Sequence, residues 1–344
     1  MRCENPGLRI LVRLPNWLGD AVMATGIFDQ IHALFESPEI SVTGPRFICD
    51  LFGHDPRIAK VFPYRPRGLS KYNPFDPAFA SLKSESFDLA ILLTQSFSTA
   101  YQIWWTRAHH RLGYSNEVRS FFLTHPIEFP LERHKQHLVI TYQQLLSAYT
   151  RKETPIFKPK LFLSETVQAQ AKTFLKESIV PTKVVGLCPQ AAYGPAKQWP
   201  WERFRSLAIE LLACGYGVVV FADSSGRELG AKITQGLDPK CCLDMSAKTS
   251  MDEFMALMQA CDLLVTNDSG PMHLATALDK PLIAIFGSTD EKVTGPYSEK
   301  ARVIHRHVRC SPCFKRVCPI DFRCMMQIEV SQVLKEVQQM LANS

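Results

Sequence analysis

Among its 344 residues the chain has no apolar run near the ~18 residues that a membrane-crossing helix needs. A membrane-spanning body is therefore not expected. The N-terminus, MRCENPGLRILVRLPNW, carries only a short apolar run, which Arg13 breaks, with no small-residue cleavage site after it. It is not expected to act as a secretory signal. Two phosphate-binding signatures are also missing, Gly-x4-Gly-Lys-Ser/Thr and G-x-G-x-x-G, so neither of those cradles is available. No nucleic-acid reading motif appears, and the basic residues are dispersed, which argues against a nucleic-acid partner. The formal net charge of +6 is modest and suits an anionic substrate or surface without naming one. Eleven cysteines in a chain with no export signal read as reduced thiols in a cytoplasm. In that setting the sequon Asn267-Asp268-Ser269 is accidental.

What is present is strand–helix alternation, twice over. Residues 8–14, LRILVRL, read as a strand. Residues 15–20 read as a turn, and 21–35 carry helical spacing through Val22, Met23, Ile27, Ile31 and Leu34. Strands are expected at 39–43, 59–62 and 87–94, with a helix at 95–107 and another at 136–149. Residues 63–77, rich in proline and turn formers, read as a loop. Residues 101–114, YQIWWTRAHHRLGY, combine aromatics with Arg107, His109, His110 and Arg111. They read either as a helix with a wet, basic end or as a surface meeting an anionic lipid or sugar phosphate. Arg133, His134 and Lys135 extend that basic character. The segment 150–182 marks the domain crossover. It includes a polar helix at 164–178, and beyond it the pattern restarts, with strands at 183–189, 217–221 and 241–243 and helices at 201–214, 226–233 and 251–261. Two doubly wound α/β domains facing one another are expected, residues 1–160 and 161–325, with a last amphipathic helix within 326–344.

The chain is organised around residues 262–287, DLLVTNDSGPMHLATALDKPLIAIFG. A short apolar run is followed by turn and cap chemistry, a helix over 272–278, and a second apolar run over 282–286. This is one βαβ unit and requires a parallel sheet. Ligands of such sheets bind outside the carboxyl ends of the strands, where Asp268, Ser269 and Gly270 fall. The backbone N–H groups of the following helix favour an anion there. Capping of the helix would account for Asp268 or Ser269, but not for both together with Asn267, Gly270 and His273.

The first strand ends in the same way. Gly19 gives the turn backbone freedom, and Asp20 stands at the helix start, either as its N-cap or as a carboxylate able to take a proton in a cleft. In the second half, the loop between Pro189 and Pro200 holds Lys197, a single cation among small residues that include Gly194. It reads as a diphosphate site or as a surface lysine. Asp223, after its strand, either bonds a ribose hydroxyl or serves as a turn residue. The tail from Arg302 to Arg316 has basic residues and no acid. Cys310, Cys313, Cys318 and Cys324 follow spacings x2, x4 and x5. The first pair has metal-knuckle spacing, while the later spacings match no zinc or iron–sulfur pattern. A four-cysteine metal site is therefore a tentative alternative to free or redox-active thiols.

Four blocks, ILVRLPNWLGDAVMA, CPQAAYGPAKQWP, GYGVVVFADS, and VTNDSGPMHLATAL with PLIAIFGSTD, resemble glycosyltransferase family 9, the ADP-heptose:lipopolysaccharide heptosyltransferases, most closely the heptosyltransferase II type. The resemblance runs from about residue 8 to the last helix. It implies a GT-B fold, two Rossmann-like domains around a central cleft, with the last helix packing back towards the N-terminal domain. The N-terminal domain would hold the acceptor and the C-terminal domain the ADP-sugar. It implies inverting transfer of L-glycero-D-manno-heptose from ADP-heptose to the lipopolysaccharide inner core, the second heptose onto the first. By position Asp20 matches the family's general base and Lys197 the lysine that meets the donor phosphates. Asp268, Ser269, Gly270 and His273 match the donor-holding motif. Gly194 and Asp223 are placed with the donor, and Asn16 and Gly19 with the acceptor. No cofactor and no metal are required by this design, and the protein would be cytoplasmic or peripheral at the cytoplasmic face of the inner membrane. The chain departs from the first-type enzymes, which carry two threonines where Ala192 and Tyr193 stand. It also departs from members with a glutamate after the second strand, where Asp223, Ser224 and Ser225 stand here. A same-fold transferase for another nucleotide sugar, or a non-catalytic nucleotide- or lipopolysaccharide-binding relative, are the alternatives. The presence of both Asp20 and Lys197 argues against the latter.

Overall fold

A computed structural model of the chain describes residues 7–64, 68, 72–73, 77–116, 118–132 and 135–343. Most of the loop expected at 63–77, and Arg133 and His134, lie outside the described residues. The chain divides into two compact units, 1–162 and 163–344. Among the described residues no helix is long and apolar enough to cross a membrane.

The first unit is built on six parallel strands: β1 (Arg9–Arg13), β2 (Glu39–Gly44), β3 (Lys60–Pro63), β4 (Leu89–Leu92), β5 (His110–Tyr114) and β6 (His125–Ile127). Their order in the sheet is β3-β2-β1-β4-β5-β6. The central strands are apolar on both faces. Ile10, Leu11, Val12, Leu89, Ala90, Ile91 and Leu92 are all buried, as a parallel sheet covered by helices demands. The second unit repeats the plan with β7 (Val184–Cys188), β8 (Gly217–Val220), β9 (Cys242–Asp244), β10 (Leu263–Asn267), β11 (Leu282–Phe286) and β12 (Ala301–His305). These are again all parallel, in the order β12-β11-β10-β7-β8-β9. Counted within each unit, both orders are 3-2-1-4-5-6, the doubly wound arrangement. Its strand order reverses between β1 and β4, and between β7 and β10.

Two expectations change. Residues 101–114 do not form one helix. The helix Phe97–Trp104 stops, Arg107 takes a left-handed backbone at φ 57°, and His110–Tyr114 becomes β5. Its charged start, His110-Arg111, masks a strand in which only Leu112, Gly113 and Tyr114 are buried. The basic tail likewise begins as β12, an edge strand whose Arg302 and Val303 are exposed. The last helix, Val330–Ala342, buries Val333, Val337 and Leu341 in the core of the second unit, alongside Phe204, Leu207 and Leu211 of the helix Trp201–Ala213. Lys183 Nζ also donates to the Leu341 carbonyl at 2.6 Å, tying that helix end to the start of β7.

Candidate functional site

At the carboxyl end of β1 the chain passes through Leu14 and Pro15 into a turn. Arg13 is buried there, and its Nη2 donates to Asn16 Oδ1 at 2.9 Å. A second Arg13 nitrogen donates to the Leu14 carbonyl. Asn16 is thus set by a buried cation at the switch point of the first sheet. The helix Leu18–Met23 starts earlier than the expected residue 21, with exposed Trp17 at the N-cap position and no side-chain cap. Asp20 is therefore not the cap. It is the third residue of the helix, half-buried, in the first turn. Gly19 lies inside the same helix and does not use the left-handed freedom expected of it. Tyr142, on the helix Leu138–Thr150, faces this carboxylate: burial first, and the Asp20 charge second, push its phenol well above the ordinary range.

The sequence gives no warning of Arg119. It sits in a short 3-10 turn, 1% exposed, where Nη1 donates to the Thr94 carbonyl at 2.6 Å, just past the end of β4. Among the described residues its Nε and Nη2 have no hydrogen-bond partner. Burial pulls its pKa down to about 10, and no carboxylate offsets that burial.

In the second unit the loop after β7 and the turn after β10 meet at the corresponding switch point. Asn267 is fully buried and faces the protein: its Oδ1 accepts from Trp199 N–H at 3.0 Å and its Nδ2 donates to the Pro189 carbonyl at 2.7 Å. It clamps the two ends of the lysine loop to β10. Lys197 Nζ then stands 2.6 Å from Asp268 Oδ2, with side chains 14% and 3% exposed. The Thr289 hydroxyl, past the end of β11, donates to the same Asp268 oxygen. Ser269 takes the N-cap position of the helix Gly270–Ala277, but its side chain caps nothing. Its hydroxyl donates to the Asn267 carbonyl at 3.2 Å. Pro271, in the first turn, has no N–H to satisfy. His273 is buried one turn into the helix. The backbone amides at the start of this helix face the carboxyl end of the sheet without a side-chain cap, the arrangement that receives an anion.

Asp223 is placed less favourably. Its Oδ1 takes Ser225 N–H, Gly226 N–H, the Ser225 hydroxyl and Gln190 Nε2, at 2.7–3.3 Å, and so caps the turn after β8. Burial alone would raise the carboxyl; these donors outweigh it and hold it below the usual range. The turn role is realised, and Oδ2 is the atom left for a ligand.

The tail is the part of the site that sequence reasoning missed. Gly194 takes φ 152°, and a Cβ there would lie 2.5 Å from the Arg316 carbonyl oxygen. That carbonyl accepts Ala196 N–H at 3.0 Å. Tyr193 donates its hydroxyl to the Phe314 carbonyl at 2.6 Å. Lys197 Nζ lies 4.8 Å from the Tyr193 ring centre, and the Arg316 guanidinium 5.3 Å from it. The basic segment around Arg316 is thus laid on the lysine loop. The four cysteines are each held by different neighbours. Cys313 N–H bonds the Ser288 carbonyl, Cys318 Sγ accepts Phe322 N–H at 3.3 Å, Cys324 is buried against Gly287, and Cys310 is exposed. Cys310, Cys313 and Cys318 all lie near enough to act on the Cys324 thiol, but among the described residues only Glu291, His305 and His307 bring ligand atoms within 4.8 Å of one another.

A family model described as Glycosyltransferase family 9 (heptosyltransferase) matches residues 78–322. The chain is 30% identical over 312 residues to lipooligosaccharide heptosyltransferase 2 of Haemophilus influenzae, covering 86% of this chain and 88% of that one. It is also 30% identical over 307 residues to lipopolysaccharide heptosyltransferase 2 of Escherichia coli, with the same coverage. Its structure is similar to that of the E. coli ADP-heptose lps heptosyltransferase II, with a TM-score of 0.83, 28% identity, and 98% and 99% of the two chains covered.

Proposed function

The chain belongs to glycosyltransferase family 9 and has the GT-B fold, and from that premise we propose that it moves L-glycero-D-manno-heptose from ADP-heptose onto the first heptose of a lipopolysaccharide inner core, with inversion. The observation that carries the donor half is the Lys197–Asp268 pair beside an uncapped helix start at the switch point of the second sheet. An ADP diphosphate there meets the Lys197 ammonium and the amides that begin the helix Gly270–Ala277. Both gain in strength as the bond to the anomeric carbon breaks and charge collects on the departing ADP. Ser269, Gly270 and His273 line the same helix start, and Asp223 Oδ2 is offered to the ribose.

The acceptor half rests on Asp20, half-buried at the switch point of the first sheet and not used as a cap. Its carboxylate removes the proton of the acceptor hydroxyl as that oxygen attacks the anomeric carbon. Asn16, held by Arg13, and Gly19 border the same turn. The chain works at the cytoplasmic face of the inner membrane, and a lipid-borne acceptor is supported by the exposed aromatics Phe97, Trp104 and Phe121 on the first unit. No cofactor is needed, because Lys197 and the helix start supply the positive charge.

The test is heptose transfer from ADP-heptose to a truncated acceptor carrying one heptose, with wild type and Asp20→Ala compared. Transfer by wild type, and a loss of roughly 100-fold or more in kcat with ADP-heptose still bound, is the expected result. A wild type that binds the donor but transfers nothing overturns the acceptor assignment. Transfer from UDP- or GDP-sugars in preference to ADP-heptose overturns the donor. An unchanged rate in Asp20→Ala removes that residue from the reaction.

A further inference from the structure

Away from the lysine and helix start, three side chains meet where β11 and β12 run out. Glu291 opens the short helix Glu291–Thr294, His305 ends β12, and His307 follows with a left-handed backbone at φ 41° that turns it back towards them. His305 Nδ1 lies 2.7 Å from Glu291 Oε2, and His307 Nε2 lies 3.4 Å from Glu291 Oε1. One ligand atom from each falls within 4.8 Å of the others, and the imidazole centres are 4.1 Å apart.

The hydrogen bonds around His305 fix its tautomer. The Ser311 hydroxyl donates to the Gly287 carbonyl, so its oxygen can only accept from His305 Nε2–H, 3.0 Å away. With the ring hydrogen on Nε2, Nδ1 turns its lone pair to a carboxylate oxygen at 2.7 Å. Two acceptors at that separation need either a shared proton, as in an imidazolium–carboxylate pair, or a metal ion between them. A proton would make an imidazolium 4.1 Å from the His307 ring, which faces the same carboxylate. A metal ion satisfies both rings and the carboxylate together. Bonds of about 2.0–2.2 Å in a tetrahedron put neighbouring ligand atoms roughly 3.3 Å apart; the 3.4 Å between His307 Nε2 and Glu291 Oε1 matches this, and the 2.7 Å between His305 Nδ1 and Glu291 Oε2 must widen to admit the ion. The supporting contact has the form usual for a metal-bound histidine, the distal ring N–H donated to a fixed oxygen.

We propose that Glu291, His305 and His307 bind one divalent transition-metal ion of the zinc class, through the Glu291 carboxylate, His305 Nδ1 and His307 Nε2. His307 has a side chain 67% exposed, so solvent fills the remaining position. The site is a brace beside the donor loop, not a participant in transfer. It joins the segment 287–291, which presents the Thr289 hydroxyl to Asp268, to the root of the tail that carries Arg316 over Tyr193. Ser311, bonded to both His305 and Gly287, is the stitch between them.

The experiment strips the full-length protein with a chelator, dialyses it, and titrates it with Co2+ at neutral pH. One equivalent should bind, with the visible bands of a four- or five-coordinate ion and no intense thiolate band in the near ultraviolet. Zn2+ should displace it and raise the Tm by mass action. His307→Ala, an exposed change that leaves the core alone, should weaken binding by about tenfold or more and abolish the Tm shift. No binding by the wild type, or equal binding by His307→Ala, overturns the proposal. So does a thiolate band removed by Cys313→Ser, which moves the ion to the tail cysteines. Because the readout is metal binding, failure of the transferase assignment leaves this result unaffected.

Discussion

Asp268 holds Lys197 at 2.6 Å with almost no exposure, and takes the Thr289 hydroxyl as well. A buried pair of this kind contributes little net stability, because desolvation of both ions offsets their attraction. Removing one partner strands the other, at a cost of roughly 3–5 kcal/mol. Lys197→Met is therefore expected to lose both activity and stability, and the loss of activity alone would not show that the lysine meets phosphate. The double change Lys197→Met with Asp268→Asn separates the two effects. It should recover most of the stability, since no buried charge is left unpaired, while donor binding stays lost. Denaturant unfolding measured beside ADP-heptose affinity checks this. If the double variant binds the donor as wild type does, Lys197 is a structural partner of Asp268 and nothing more. Arg119 presents the opposite case, a buried cation at the end of β4 with no carboxylate to meet it among the described residues.

At the scale of the element, Gly194 links a loop that the sequence made legible to a tail that it did not. The strand–turn–helix units around Asp20 and Asp268 could be read directly, because buried parallel strands give continuous apolar runs and the turns carry their own chemistry. The Ser164 and Ser250 caps are local in the same way, though they were not singled out in the sequence: each side chain accepts the N–H three residues on, and Ser250 with Glu253 closes a capping box. The edge strands β3 and β9 were read as well, but β5, β6 and β12 were not. β5 begins His110-Arg111 and β12 begins Ala301-Arg302, and such starts read as wet surface because the strands are covered only in part. Nor could spacing show that Arg316 returns to the lysine loop, since that contact joins residues over 100 positions apart through backbone carbonyls. Gly194→Ala tests the contact. Its Cβ would meet the Arg316 carbonyl at 2.5 Å in a backbone region that favours glycine, so the tail must lift. The KM for ADP-heptose should rise several-fold with kcat less affected. An unchanged KM would mean that the tail does not shape the donor site.

At the scale of the whole molecule, the same strand order appears twice, and each copy ends its switch point in different chemistry. The first gives a carboxylate, Asp20, with two buried arginines, Arg13 and Arg119, near the strand ends. The second gives an ammonium paired to a carboxylate and an uncapped helix start. On the proposed reading one architecture supplies a base in one unit and an anion cradle in the other, a division that fold alone does not dictate. The donor proposal locates nucleotide binding in one unit, and that is measurable without any acceptor. Backbone hydrogen exchange, with and without saturating ADP, should slow in 189–199, 266–274 and 287–291, where the amides meet the ligand or the loops that hold it. The cores of β7, β10 and β11 are already buried and should change less. Slowing confined to the turn after β1 would put the nucleotide on the other sheet and reverse the roles given to Asp20 and Lys197. Slowing in the second unit that fails in Lys197→Met with Asp268→Asn would tie the protection to the ion pair itself, and so to the chemistry that the departing ADP requires.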